Sequence, residues 1–219
     1  MRVSVIIPAL DAGAGLPGCL ERLRGADEVI VVDGGSRDDT VAVATKFGAR
    51  VVQAARGRGA QLGVGSNLAR GDWLLFLHAD TRLDWGWRDA VDAHAAGGPD
   101  EAACFEFRLD DAAWQARVIE AGVALRLRLL GLPYGDQGLL VSRALYNEVG
   151  GFAPLPLMED VDLVRRIGRT RLRGLPARAV TSAARYRRDG YLPRMARNAV
   201  CLSLYFAGLS PRAIAKLYG

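Results

Sequence analysis

Trp73-Leu74-Leu75-Phe76-Leu77-His78-Ala79-Asp80 is a bulky apolar run that ends on polar side chains, and Glu28-Val29-Ile30-Val31-Val32-Asp33-Gly34-Gly35 has the same form earlier in the chain. Short runs of this kind, bounded by turn residues, read as buried strands of a parallel sheet. Residues 3–7 form another such run, stopped by Pro8, and residues 50–53 a shorter one. Helical signals lie between them. Leu16, Leu20 and Leu23 mark one face of a helix over residues 15–24. Ser36-Arg37-Asp38-Asp39 offers capping chemistry for residues 40–47, closed by Gly48, and residues 60–69 form a third helix. This strand–helix alternation predicts an α/β fold, a mainly parallel sheet with right-handed crossovers flanked by helices. Ligands of such sheets bind beyond the carboxyl ends of the strands, so Asp33 and Asp80 are expected at one edge.

After Asp80 the order changes. Residues 85–95 read as a helix, and Gly97-Gly98-Pro99 as a break. Residues 103–109 alternate like a half-exposed strand, followed by a long helix over 112–130 and a strand over 138–141. Helices are expected over 158–167, 192–207 and 211–217. No repeat, low-complexity tract or long linker interrupts the 219 residues, which predicts a single domain.

The formal charge is +5, and every cation except Lys46 and Lys216 is an arginine, the side chain best suited to bidentate contacts with phosphate or carboxylate. Between Arg165 and Arg197 stand eleven arginines and one acid, Asp189. Such a segment fits a nucleotide pyrophosphate or an anionic lipid head group. Nucleic acid is disfavoured, because no zinc-ligand spacing, aromatic RNA-binding signature or helix-turn-helix pattern accompanies the charge. Cys19, Cys104 and Cys201 are far apart and unpaired in pattern, as in a reducing compartment. No apolar stretch approaches the roughly 20 residues of a membrane-spanning helix, and the first apolar run is too short for a signal peptide. The expected location is cytoplasmic, or peripheral on the inner membrane face.

Four clusters carry chemistry. Asp33-Gly34-Gly35 suits a turn where backbone passes close to a ligand, its carboxylate accepting from a base or ribose; helix capping is the competing role. His78 and Asp80, two residues apart at a strand end, face one way in extended geometry. A hard cation such as Mg²⁺ or Mn²⁺ takes one or two carboxylates plus diphosphate oxygens, and His78 suits Mn²⁺ better than Mg²⁺. Arg56-Gly57-Arg58-Gly59-Ala60-Gln61 joins two guanidinium groups to a helix N-terminus, a site for anions, yet it matches neither the Walker loop nor the dinucleotide fingerprint. Glu159-Asp160 opens a helix, where the dipole favours acids whatever their role; a carboxylate there can also serve as a general base. With only His78 and His94, no Ser-His-Asp set is available. Together the clusters point to group transfer from a nucleoside diphosphate donor.

Ser4-Val5-Ile6-Ile7-Pro8-Ala9-Leu10, Val31-Val32-Asp33-Gly34-Gly35-Ser36, Leu75-Phe76-Leu77-His78-Ala79-Asp80-Thr81 and Pro156-Leu157-Met158-Glu159-Asp160 make the chain resemble the family-2, GT-A-fold glycosyltransferases. Tyr134-Gly135-Asp136-Gln137, with the His78–Thr81 and Pro156–Asp160 motifs and Thr181-Ser182, is similar to the bacterial arsenosugar-biosynthesis glycosyltransferase subfamily. The resemblance implies an inverting transfer of a sugar from a UDP- or GDP-linked donor to a hydroxyl, assisted by Mn²⁺ or Mg²⁺. Residues 1–100 would form the nucleotide-sugar half and 101–219 the acceptor half. It also implies site roles. Pro8, Ala9, Asp11, Asp33 and Gly34 would line the nucleoside pocket, and Arg58, Gln61, His78 and Ala79 would flank the donor. Asp80 would bind the metal–diphosphate, and Asp160 would be the catalytic base with Glu159 beside it. Gly135, Asp136, Gln137, Arg185 and Tyr186 would close over donor or acceptor. The chain departs from the family at Asp11-Ala12, where an Asn-Glu pair is common, and at His78, the first position of its D-x-D motif. Asp33, Asp80 and Asp160 are expected in one crevice.

Two other readings compete. A nucleotidyltransferase would use a similar sheet edge, but residues 9–18 lack the lysine its Gly-rich loop needs. A non-catalytic nucleotide-binding or membrane-surface module would keep Asp33 and the basic segment and leave Asp160 dispensable. The helices over 112–130 and 192–207 could dock on a bilayer through snorkelling arginines, or pair with each other or with a second subunit in a homodimer.

Overall fold

A computed structural model describes residues 1–218. Strand β1 (Val3–Ala9) is central, paired in parallel with β2 (Glu28–Asp33) on one side and β4 (Trp73–Phe76) on the other; β3 (Arg50–Gln53) continues in parallel beyond β2. Helices α1 (Leu16–Glu21), α2 (Thr40–Lys46) and α3 (Arg58–Leu68) make the crossovers. With β5 (Thr81–Leu83), β6 (Ala102–Leu109), β7 (Leu139–Ser142) and β8 (Leu172–Thr181), the order along the sheet is β3-β2-β1-β4-β7-β6-β8-β5. The path reverses between β1 and β4, the point where open α/β sheets leave a crevice.

The outer strands depart from a purely parallel pattern. Strand β7 (Leu139–Ser142) runs antiparallel to β4 and to β6 (Ala102–Leu109), while β8 (Leu172–Thr181) is parallel to β6. The expectation of a half-exposed strand over 103–109 is corrected: β6 lies between β7 and β8, Ala102 to Phe105 are all buried, and only Glu106 and Arg108 break the run. Two strands were not anticipated. β5 (Thr81–Leu83) is only three residues long and pairs antiparallel with β8. β8 alternates with period two, but Leu175, Ala177 and Ala179 face inward, so its apolar signal is weak. Pro176 lies in the stretch where the β6–β8 register slips, the position at which a strand tolerates a residue without an N–H.

Alternation along β1 divides the core. Val3, Val5 and Ile7 pack with α1 and with α4 (Trp87–Ala95) on one face of the sheet. Ile6 joins Ile30, Val32, Leu74 and Phe76 under α3 and α7 (Glu159–Ile167) on the other. A third, smaller core gathers Phe107 and Leu109 of β6 with Ala116, Ile119 and Val123 of α5 (Trp114–Leu130). Tyr186 of α8 (Ala184–Asp189), with Tyr191 and Met195 of α9 (Tyr191–Phe206), closes it. Helices α6 (Arg143–Glu148) and α10 (Pro211–Tyr218) complete the chain.

Candidate active site

Beyond β4 the backbone is pinned: Leu77 N–H donates to Ile6 O at 3.1 Å, Thr81 N–H to His78 O at 3.2 Å, and Ser182 N–H to Asp80 O at 3.0 Å. These bonds set His78 and Asp80 at the mouth of the crevice and tie them to the end of β8. A cavity of about 120 Å³ opens there. Arg58, His78 and Asp80 line it from the first half of the chain; Tyr134, Asp136, Glu159, Asp160, Thr181, Ser182, Arg185 and Tyr186 line it from the second.

Met158 precedes α7 in the left-handed region, at φ 64°, and the turn buries Glu159 while leaving Asp160 half-buried. The Asp160 carboxylate is held at both oxygens. Gly135 N–H donates to Oδ2 at 2.7 Å and Val161 N–H to Oδ1 at 2.8 Å. Two backbone donors at the N-terminus of a helix fix the orientation of this anion. Burial, reinforced by the Asp160 charge, pushes the Glu159 carboxyl up to about 7. Burial also raises Asp136 to about 6; Arg126 opposes the shift, and the charges of Asp160 and Asp80 add to it. Burial, then the cations Arg58 and Arg185, hold the His78 imidazole well below its ordinary range, so the ring is neutral at pH 7. The cavity therefore sets several acids against guanidinium groups in one confined space.

The expected site residues fall into two groups. Arg58, His78, Asp80, Asp136, Glu159, Asp160, Arg185 and Tyr186 share the main cavity, and Pro8 and Gly135 line a smaller one that adjoins it at His78, Glu159 and Asp160. The others lie outside the lining of both cavities. Asp33 ends β2 at the same sheet edge but is 1% exposed, and its carboxylate accepts from Gly35 N–H, Ser36 N–H and Ser36 Oγ–H. Of the three acids expected in one crevice, Asp80 and Asp160 line the main cavity, and Asp33 stands at the same sheet edge outside its lining, its carboxylate engaged by the turn after β2. Gln61 Nε2 donates to Ala9 O at 2.8 Å and Val32 O at 2.7 Å, clamping α3 to β1 and β2 beneath Gly34. Asp11 accepts from Arg37 N–H at 2.8 Å and joins the loops after β1 and β2. Ala79 is buried, and Gln137 Nε2 donates to Phe105 O at 3.3 Å from inside the core.

Hard-cation chemistry fits what remains. Asp80 lines the cavity with its side chain a quarter exposed, and Arg185 approaches it only to 3.7 Å. Asp136 Oδ1 is buried without a hydrogen-bond partner, an acceptor that a cation or a donor group would satisfy. Among the described residues no three His, Cys, Asp or Glu side chains cluster as a cage. The donor set suits a cation that shares its coordination with phosphate oxygens.

Sequence reading missed the wall supplied by α9, where Arg194, Asn198 and Cys201 face the cavity. Their i, i+4, i+7 spacing in a helix without acids was the available signal. Arg194 is buried, paired with Asp189 at 2.9 Å, and stands over the Tyr186 ring at 5.4 Å.

Residues 4–117 match Glycosyl transferase family 2. The chain belongs to that family, and its sheet order, with a site at the switch point, is of the GT-A type. A PGL/p-HBAD biosynthesis glycosyltransferase of Mycobacterium bovis is 40% identical over 91 residues, a segment spanning 36% of this chain and 36% of that protein. Glucosyl-3-phosphoglycerate synthase from Mycobacterium tuberculosis, solved with Mn²⁺, UDP-glucose and phosphoglyceric acid, superposes with a TM-score of 0.58 at 24% identity, over 79% of this chain and 68% of that one. TarS of S. aureus, residues 1–349, gives a TM-score of 0.60 at 18% identity over 82% and 58%. These two solved structures are similar in fold.

Proposed function

We propose that this chain catalyses an inverting, single-displacement transfer of a sugar from a nucleoside-diphosphate-sugar, UDP- or GDP-linked, to an acceptor hydroxyl. The observation that carries the reading is that Asp80 and Asp160 line one cavity with Arg58 and Arg185. Residues 1–100 hold the donor and 101–219 the acceptor in this scheme. The Tyr134–Gln137 and Pro156–Asp160 motifs support a position near the arsenosugar-biosynthesis subfamily.

Asp160, held by Gly135 and Val161, accepts the proton of the acceptor hydroxyl. The freed oxygen pair bonds to the anomeric carbon from the face opposite the diphosphate. The carbon–oxygen bond to the diphosphate breaks, and its electron pair leaves with the nucleoside diphosphate. Arg58 and Arg185 stabilise the negative charge that builds on the leaving group, a stabilisation that counts most in a water-poor site. Asp80, with Asp136 beside it, would hold a Mn²⁺ or Mg²⁺ ion, which would add positive charge at the diphosphate. Glu159, protonated for part of the time near pH 7, limits the repulsion around Asp160.

Calorimetry with UDP and GDP, with and without Mn²⁺, tests binding, and nucleotide release from a panel of sugar nucleotides tests chemistry. Asp160→Asn is expected to lower transfer by about 10²–10⁴-fold with nucleotide affinity unchanged. Asp80→Asn should weaken nucleotide binding in Mn²⁺ and leave the metal-free titration unaltered. Full activity in Asp160→Asn refutes the base assignment.

A further inference from the structure

Helices α5 and α9 share the small third core and turn their other faces to solvent. On α5 Trp114, Val118, Leu125 and Leu129 are exposed along one line, with Leu130 exposed to one side of it; on α9 the exposed apolar residues are Leu192, Val200 and Phe206; each of these is between 49% and 74% exposed. Spacings of four, seven and four keep the first four on one narrow face of α5, and spacings of eight and six spread the α9 set over a broader arc of about 120°. Ala121, Gly122, Ala196, Ala199 and Ser203 fill the intervening positions, so neither stripe contains an acid. Soluble surfaces rarely expose apolar faces of this length without a partner.

Charge identifies the partner. From Leu163 to the end of the chain thirteen basic residues face one acid, Asp189, and that acid is already bridged by Arg188, Arg194 and Arg197. Residues 111–219 carry a formal charge of +9 and residues 1–110 a charge of −4. Arg117 and Arg128 on α5, Arg188 before α9, and Arg212 and Lys216 on α10 are all exposed. A two-fold contact through this face would bring two such positive halves together. An anionic bilayer surface complements both features, taking the apolar stripes at its acyl boundary and the guanidinium groups at its head groups.

We propose that α5 and α9 seat the protein on an anionic lipid surface. The opposite side of α9 carries Arg194, Asn198 and Cys201 into the cavity, so docking brings the cavity wall next to the membrane. No helix among the described residues is long and apolar enough to cross it, and the contact is interfacial.

Flotation of the full chain on phosphatidylcholine vesicles containing about one-third phosphatidylglycerol, beside pure phosphatidylcholine vesicles, tests the docking. Binding is expected on the anionic vesicles, about tenfold weaker on the neutral ones, and reduced in about 0.5 M salt. Leu125→Glu with Val200→Glu should lower the bound fraction about tenfold and leave UDP affinity unchanged. Arg128→Glu with Arg212→Glu, which leaves the apolar stripes intact, should act in the same direction. Wild-type protein that stays at the bottom of the gradient with anionic vesicles overturns the proposal. So does a stable dimer in analytical ultracentrifugation that the Leu125→Glu/Val200→Glu pair splits. UDP titration reads the cavity separately, so loss of flotation and failure of the sugar-transfer reading are distinguishable.

Discussion

Asp136 lies in a 3-10 turn, Gly135–Gln137, that also supplies the backbone donor to Asp160. Its carboxyl is raised to about 6 by burial and by its acidic neighbours, against the pull of Arg126. In the unfolded chain that group ionises near pH 4, whereas in the fold it resists until about pH 6. Stability is therefore lost as pH rises through that window, and the loss is complete above it. Asp136→Asn should stabilise the ligand-free protein by about 1–3 kcal/mol at pH 8 and by little at pH 4, read from thermal melts, while lowering transfer. A melting difference that does not depend on pH would contradict this origin. The placement of individual residues at the cavity was legible where a motif dictated it: Asp80 after its strand, Asp160 at its helix start, Arg58 at its glycine-rich entry. The Asp33 carboxylate was not, because its hydrogen bonds go to residues two and three positions ahead, and the same sequence serves either a ligand or a turn.

Helix α3 shows how an element positions a site residue. It opens on Arg58 and is drawn against the sheet by Gln61 and by the absence of a side chain at Gly65. A methyl group at Gly65 would overlap Ile6 Cγ2 and lie 2.9 Å from Val32 Cγ2, both fully buried side chains on central strands. Alanine favours a helix by about 1 kcal/mol, but overpacking of this kind costs about 1–3 kcal/mol. Gly65→Ala should lower the urea midpoint, and UDP affinity should fall with it as Arg58 is displaced. An unchanged midpoint would mean that α3 has room to move. Elements with β-branched or bulky apolar runs were readable from sequence, which covers β1, β2 and β4. β8 was hidden because alanine and arginine encode its alternation, and β5 because three residues give no period to measure.

At the scale of the molecule, the C-terminal helices α8 and α9 join the third core through Tyr186, Tyr191 and Met195, and hydrogen-bonded acids reinforce the attachment. Arg187 donates to Asp111 at 2.7 Å, Tyr191 Oη–H donates to the same carboxylate at 2.7 Å, and Arg194 donates to Asp189 at 2.9 Å. The Arg187 hydrogen bond, then those from Ala113 N–H and Tyr191, hold Asp111 far below the usual carboxylate range; Arg188 and then Arg194 hold Asp189 down at about 2. Groups with lowered folded pKa values contribute stability above the unfolded value near 4 and lose it as pH falls through the folded one. The attachment of α8 and α9 should therefore loosen below about pH 4. Asp111→Asn should melt below the wild type at pH 7, with the gap closing towards pH 2, as checked by thermal melts across that range.

Local patterns in the chain were enough to specify an α/β fold, a parallel first half, and several of the acids and guanidinium groups that meet in the cavity, Asp80, Asp160, Arg58 and Arg185 among them. Each of those features depends on residues close in sequence, through strand periodicity, turn chemistry and the helix dipole. The antiparallel insertion of β7, the pairing of β8 with both β6 and β5, and the α9 wall depend on contacts between distant segments. Such contacts leave no local signature, because a strand finds its neighbour only once the sheet exists. For the same reason only the tertiary structure could show the Asp33 carboxylate bonded within its turn and Asp80 and Asp160 lining one cavity.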